Sequence, residues 1–299
     1  MKVIFLGTGT SHGVPVIGCK CPVCTSTDKR DKRHRTSLYV SEPASIIIDT
    51  GPEFRIQALR SNVTSPDAVL ITHSHADHLN GLDDLRIFSH TKSVPKTEGG
   101  KSDAETEGEG LTIYANENTI RDIKNRFDYI FTPVKEGGGK PKLHLVDCAE
   151  FGIGNPIRIK GMEIIPVPLI HGSLNDSGWL LSDLTGSTKR TLAYLTDCSL
   201  IPEDSFKLIK DAAPNLDHLV IDGLRPEPHS THFSFREALS AADRIGARHT
   251  WLVHMTHNCS HVEICNYIEE NLHDFPNLQE IVKNGGSVQP AFDELKVES

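Results

Sequence analysis

The chain has 299 residues, of which 37% are hydrophobic and 23 are glycine, the balance of an ordinary soluble globule long enough to bury a substantial core. Its 31 Lys plus Arg stand against 40 Asp plus Glu, a formal charge of −9, which disfavours a broad footprint on a nucleic-acid backbone or an anionic membrane. A small anionic substrate stays compatible with that balance.

From the amino terminus, Val3 to Leu6 reads as a first strand that breaks at Gly7-Thr8-Gly9-Thr10. This run is too short for a signal-peptide core or a bilayer span, and no later stretch approaches transmembrane length, so a cytoplasmic protein without membrane contact is expected. Next comes Cys19-Lys20-Cys21-Pro22-Val23-Cys24. Its CxCxxC thiolates can wrap one tetrahedral ion, but three ligands leave a vacancy, and structural zinc sites prefer to be closed. The alternative is three buried or redox-active thiols without metal. Seven cysteines, an odd number, fit reduced thiols better than a disulfide framework. The basic run Lys29 to Ser37 follows; a solvated loop is the default for such a run, with Arg33 or Arg35 meeting a substrate phosphate as the functional reading.

Strands are expected near Ser37 to Val40, Ser45 to Ile48 and Ala68 to Ile71, with helices near Pro52 to Ser61 and His78 to Ser89. Between the last strand and helix stands His73-Ser74-His75-Ala76-Asp77-His78. Three imidazoles and a carboxylate at a strand end can bind two metal ions, because His73 and His75 point the same way while Asp77 and His78 turn toward a neighbouring position. Residues 92–110 are rich in Gly, Glu, Ser and Lys without an aromatic, and are expected to form a disordered surface insertion. Further strands are expected near Leu111 to Ala115, Leu143 to Val146, Met162 to Val167, Trp179 to Ser182, Thr191 to Leu195 and Leu219 to Ile221. Helices near Glu203 to Asp211, Phe235 to Ile245 and His261 to Asn271 separate or follow them. The alternation describes a mixed α/β layer protein, without a linker that divides residues 1–299 into two domains.

A dinuclear site needs about seven protein ligands, so the hexapeptide must recruit distant residues. His171, Asp197 and His254 each stand at the exit of an apolar run. Singly each reads as a satisfied structural residue; together they converge on one explanation. His232, just before a helix start, is the candidate to protonate a departing alkoxide, with His229 as its substitute and helix capping as the alternative for both. Asp77 or Asp197 would orient the attacking hydroxide.

THSHADHLNG at Thr72 to Gly81, SIIIDTGPE at Ser45 to Glu53, LIHG at Leu169 to Gly172, LTDCS at Leu195 to Ser199 and VHMTH at Val253 to His257 resemble the motifs of the metallo-β-lactamase superfamily. The resemblance spans nearly the whole chain and implies a four-layer αββα sandwich. It places metal one on His73, His75 and His171, metal two on Asp77, His78 and His254, with Asp197 bridging both and Asp49 bracing the His-rich loop from behind. A histidine after Asp77 and an aspartate at 197, where the β-lactamases have cysteine, are similar to the phosphodiesterase branch, which includes tRNA-processing endonucleases and PhnP-type cyclic phosphodiesterases. A bridging carboxylate suits two hard ions, manganese or zinc, that share a hydroxide for in-line attack on phosphorus. The cysteine triple looks like that of PhnP-type members, and the resemblance completes its structural zinc with His257; His261 is the competing fourth ligand. It also implies a homodimer.

The reading is therefore a metal-dependent hydrolase of a small or cyclic phosphodiester. A tRNA 3′-processing endoribonuclease is the weaker alternative, because the chain is acidic and shows no Gly/Pro-rich basic arm to grip RNA. A thioester or lactone hydrolase is another, since the same hydroxide can attack carbon. A non-enzymatic zinc-binding interaction module built on the cysteines comes last.

Overall fold

The computed structural model describes residues 1–89, 110–133 and 140–298. Of the expected insertion at 92–110, all but Gly110 lies outside the described residues.

Among the described residues, two seven-stranded sheets make the frame. The first contains β1 (Lys2–Gly7), β2 (Ser37–Glu42), β3 (Ile46–Ile48), β4 (Ala68–Leu70), β5 (Leu111–Ala115) and β6 (Leu143–Asp147). The second runs from β7 (Ile157–Ile159) through β8 (Met162–His171), β9 (Leu174–Asp183), β10 (Arg190–Leu195), β11 (His218–Asp222) and β12 (His249–Val253) to β13 (Ser287–Pro290). A last strand, β14 (Lys296–Glu298), returns to the first sheet beside β1. In both sheets the pairing changes hand part-way. β1, β2 and β3 pair antiparallel while β3 to β6 are parallel, and β7 to β10 pair antiparallel while β10 to β13 are parallel.

Continuous apolar runs such as Ile46-Ile47-Ile48 are what a strand covered on both faces requires. Alternate residues go opposite ways. Ile46 and Ile48 join Phe5, Val40 and Leu70 against Trp179, Leu181, Tyr194 and Val253 between the sheets. Ile47 joins Leu6 and Val69 beneath Phe54, Leu79, Leu82 and Ile123 of the helices on one outer face. On the other outer face Leu195, Leu219, Ile221 and Leu252 pack under Phe235, Leu239, Ile264 and Ile268. The layers are helix, sheet, sheet, helix, which is the αββα sandwich.

Two of the covering helices announce themselves in the sequence. Phe235–Ile245 and His261–Asn271 each open on a capping box, Ser234 with Glu237 and Ser260 with Glu263, in which the Ser hydroxyl and the Glu carboxylate satisfy each other's free amides. The helix expected over His78 to Ser89 is instead broken into Ala76–Leu79, a 3-10 turn at Leu82–Leu85 and Arg86–Ser89. The break falls at Gly81, where a Cβ would sit 2.2 Å from the carbonyl oxygen of Gly51. There the chain must pass against the loop after β3 and cannot stay helical.

Candidate metal centre

Both sheets present the carboxyl ends of their parallel strands to one place, where layered α/β folds carry their sites. β3 delivers Asp49, β4 the His73 loop, β10 Asp197, β11 Asp222 and β12 His254, while His171 is the last residue of β8. Asp49, Asp197 and His254 all turn out of their strands with positive φ, 63°, 54° and 62°, a conformation uncommon for non-glycine residues and concentrated at functional sites.

The candidate ligands gather in two neighbouring sets. Donor atoms of His73, His75 and His171 lie within 4.8 Å of one another, and so do those of Asp77, His78, Asp197 and His254. The sets share a wall: the rings of His73 and His78 are 4.4 Å apart. Asp197 touches several members, with Oδ2 3.1 Å from His78 Nε2 and Oδ1 3.2 Å from His254 Nε2. His73 Nε2 is buried without a hydrogen-bond partner, and His78 Nε2 has the Asp197 and Asp77 carboxylates close by but no hydrogen bond of good geometry to either. Buried polar atoms are normally satisfied, so orphaned imidazole nitrogens among carboxylates fit divalent cations as their missing partners.

The other ring nitrogens are held as metal-binding imidazoles usually are. His78 Nδ1 lies 2.8 Å from Asp49 Oδ2, and Asp49 also accepts from the amide and hydroxyl of Thr72. His73 Nδ1 is 3.0 Å from Thr72 Oγ1. His171 Nδ1 is 2.7 Å from the carbonyl of Thr231; a carbonyl only accepts, so Nδ1 carries the proton and the lone pair is on Nε2.

His232 stands beside this cluster with Nδ1 2.8 Å from Asp222 Oδ2. Burial works against charge on the imidazole, but the Asp222 carboxylate outweighs it and lifts its pKa to about 9. Asp222 accepts from the amide of Cys198 as well. Sequence reasoning missed Asp222, although it closes the apolar run Leu219 to Ile221 just as Asp49 and Asp197 close theirs. The centre opens into a cavity of about 350 Å³ whose rim adds Ser11, Ser173, Leu174 and Thr231. A groove of about 540 Å³ beside Phe54, Leu59 and Ile87 lies away from these side chains.

Cys19, Cys21 and Cys24 stand around His257 with Sγ to Nδ1 distances of 3.5, 3.4 and 3.5 Å. One ring nitrogen cannot make three such hydrogen bonds at once. A tetrahedral ion with bonds of ~2.3 Å to sulfur and ~2.05 Å to nitrogen would separate them by roughly 3.5 Å, so the cage has the dimensions of an S₃N site. Hydrogen bonds from the Cys24 amide and His257 draw the Cys21 thiol down to about 6, toward the thiolate. His261 is elsewhere, with Nδ1 3.4 Å from Arg33 and its amide on Asp31.

Neither arginine lines the cavity. Arg33 is 3% exposed and donates to Thr8 Oγ1 and the carbonyl of Ala291, both at 2.8 Å; its burial withdraws it from any substrate. Arg35 pairs with Glu53 and donates to the carbonyl of Ser11, bracing a rim residue from behind. His229 is exposed and 5.4 Å from His232, ring to ring. Among the described residues no helix is long and apolar enough to cross a membrane.

Residues 44–255 match the Beta-lactamase superfamily domain. The chain belongs to the metallo-β-lactamase superfamily. Within it, a solved diphosphatase of the PhnP family is similar at 35% identity and a TM-score of 0.72, over 100% of this chain and 97% of that one. The short form of human tRNase Z shares the fold at 17% identity and a TM-score of 0.61, over 100% of this chain and 99% of that one. A curated relative from Porphyromonas gingivalis, an octanoyltransferase, is 32% identical over 291 residues. The match takes in 96% of this chain and 52% of that protein, so this chain spans about half the relative's length. The chain has the metallo-β-lactamase fold, with a His/Asp cluster suited to divalent metal.

Proposed function

We propose that the protein hydrolyses a small or cyclic phosphodiester. The observation that carries the reading is Asp197 set between two groups of metal-ligand side chains, with the charged His232–Asp222 pair beside them. His73, His75 and His171 would hold one ion and Asp77, His78 and His254 the other, with Asp197 common to both. Two divalent ions held there, manganese or zinc, supply an activated hydroxide and neutralise charge on the phosphoryl oxygens. Asp77 lies 3.4 Å from His254 and 3.3 Å from His78, so it ties the loop to β12. Asp222 accepts the Nδ1 proton of His232 and leaves the Nε2 proton as the one to donate to the departing alkoxide. Without that proton a strongly basic alkoxide leaves slowly.

The cavity favours a small substrate over tRNA. Its volume of about 350 Å³ suits a compact ligand, and among the described residues no lysine or arginine lines it. The net charge of −9 points the same way. Cys19, Cys21, Cys24 and His257 would hold one zinc that braces the loop after β1 against the loop after β12. Turnover of bis(p-nitrophenyl) phosphate with added manganese or zinc, lost on chelation and in Asp77→Ala, is the expected result. Absence of metal-dependent turnover, or undiminished turnover in Asp77→Ala, refutes the reading; faster cleavage of thioesters or of precursor tRNA moves it to those substrates.

A further inference from the structure

His75 is the odd member of its metal-ligand set. His73, His78 and His171 each have Nδ1 against a fixed oxygen, on Thr72, Asp49 and Thr231. The ring of His75 has no hydrogen bond among the described residues, and it is the exposed member of its set. It has edge contacts with His73 and His171, at 4.5 and 5.0 Å between ring centroids. Its direction must therefore come from its backbone.

That backbone is gripped from outside the sheet. Helix Glu117–Arg126 follows β5 and presents Asp122 and Arg126 on one face, four residues apart. Asp122 Oδ2 accepts the hydroxyl of Ser74 at 2.6 Å, and Arg126 Nη1 donates to the carbonyl of Ser74 at 2.7 Å. That carbonyl belongs to the peptide joining Ser74 to His75. Arg126 Nη1 also reaches Asn80 Oδ1, 3.3 Å away, just past the short helix carrying Asp77 and His78. The helix is itself moored at its start, where Asn116 accepts from the Thr119 amide and donates to Ser177 Oγ. Ser177 in turn gives its amide to the carbonyl of Thr72.

We propose that Asp122 and Arg126 are positioning residues that set His75, and through it the occupancy of the first metal position. The proposal rests on the metal-dependent reading above. Both side chains lie at the surface, Asp122 half-buried and Arg126 exposed, so neither is needed for the buried core. Removing groups that orient a metal ligand weakens metal binding by about 10- to 100-fold. Loss of a surface side chain should leave folding nearly unchanged.

The test is a cobalt titration of metal-free wild type, Arg126→Ala, Asp122→Ala and Arg126→Lys, followed by visible absorption, with thermal unfolding of the metal-free proteins alongside. Expected is a 10- to 100-fold weaker affinity for one of the two His/Asp positions in both alanine variants, with recovery in Arg126→Lys, whose ammonium can still donate to Ser74. The cobalt–thiolate band of the cysteine site and the unfolding temperature should not move. Unchanged cobalt affinities in both alanine variants overturn the proposal. So does a joint fall of both metal sites with the unfolding temperature, which would make the contacts general surface support. If wild type itself binds cobalt at the thiolates alone, the phosphodiesterase reading fails and this proposal falls with it, a result visible before any variant is measured.

Discussion

Replacing Asp222 by asparagine keeps the shape of the side chain and removes its charge. Its carboxylate lies 2.8 Å from His232 Nδ1 and accounts for a pKa of about 9 against an ordinary 6.5; at about 1.4 kcal/mol per tenfold, that is on the order of 3 kcal/mol favouring the imidazolium. With the Asp222 charge gone, burial lowers the pKa and Asp197 raises it, and the ordinary 6.5 serves as the reference value. At pH 8 the protonated fraction then falls from about nine-tenths to about three-hundredths, a roughly thirty-fold loss of the proton donor, whereas at pH 6 both forms stay mostly protonated. Because Asp222 raises the His232 pKa, donor function extends to higher pH in wild type than in Asp222→Asn, whose alkaline limb moves down. The assay is the pH profile of kcat, at saturating metal, for a methyl or ribosyl diester and for bis(p-nitrophenyl) phosphate. The alkyl leaving group needs the proton and shows the pH-dependent loss; p-nitrophenolate needs it far less and shows little. An equal loss at pH 6 and pH 8, or for both leaving groups, would refute the assignment and place Asp222's role in holding His254, whose Nδ1 lies 4.0 Å from its Oδ1.

Two further outcomes follow from groups away from that pair. Cys21→Ser should lower the metal content of protein purified without chelator from three ions per chain to two, since one of the three ligand groups loses its closing thiolate. It should also destabilise by more than the ~1 kcal/mol typical of a single substitution, read by elemental analysis and thermal unfolding; full metal content in the variant contradicts the S₃N cage. His218, at the far end of β11, accepts from Trp251 Nε1, and burial, then the neighbouring His249, hold it down at about 4. Unfolded, it titrates near 6.5, so the unfolded chain binds more protons between those values. The stability gained by keeping it neutral is complete above about pH 6.5 and declines as pH falls toward 4. Unfolding temperature should therefore fall more steeply from pH 7.5 to 4.5 in wild type than in His218→Gln, and parallel curves would sink that account.

The sandwich was legible because its strands are apolar on both faces and end on polar residues that have no structural reason to be there. His73, His75, Asp77, His78, His171, Asp197 and His254 could be named from that pattern, and the structure brings them into two adjoining sets. Asp222 obeys the same rule and was passed over because no motif pointed to it. Helix Glu117–Arg126 was missed because Ile120, Ile123 and Phe127 mark its buried side so sparsely that the segment reads as polar. The single helix expected across Gly81 failed on a contact with Gly51, thirty residues away, which no local window contains. For Arg33 the sequence offers a solvated loop or a contact to a substrate phosphate, and only the folded chain shows Thr8, Ala291 and Asp293 closing around it.

The left-handed turns at Asp49, Asp197 and His254 imply a tension between endurance and chemistry. A glycine at any of the three would relax the backbone and delete the group that gives the pocket its purpose. Selection for heat tolerance alone would drift toward such glycines and yield a sturdier, inert relative. The main chain thus carries strain at the three corners where side chains of the metal centre stand.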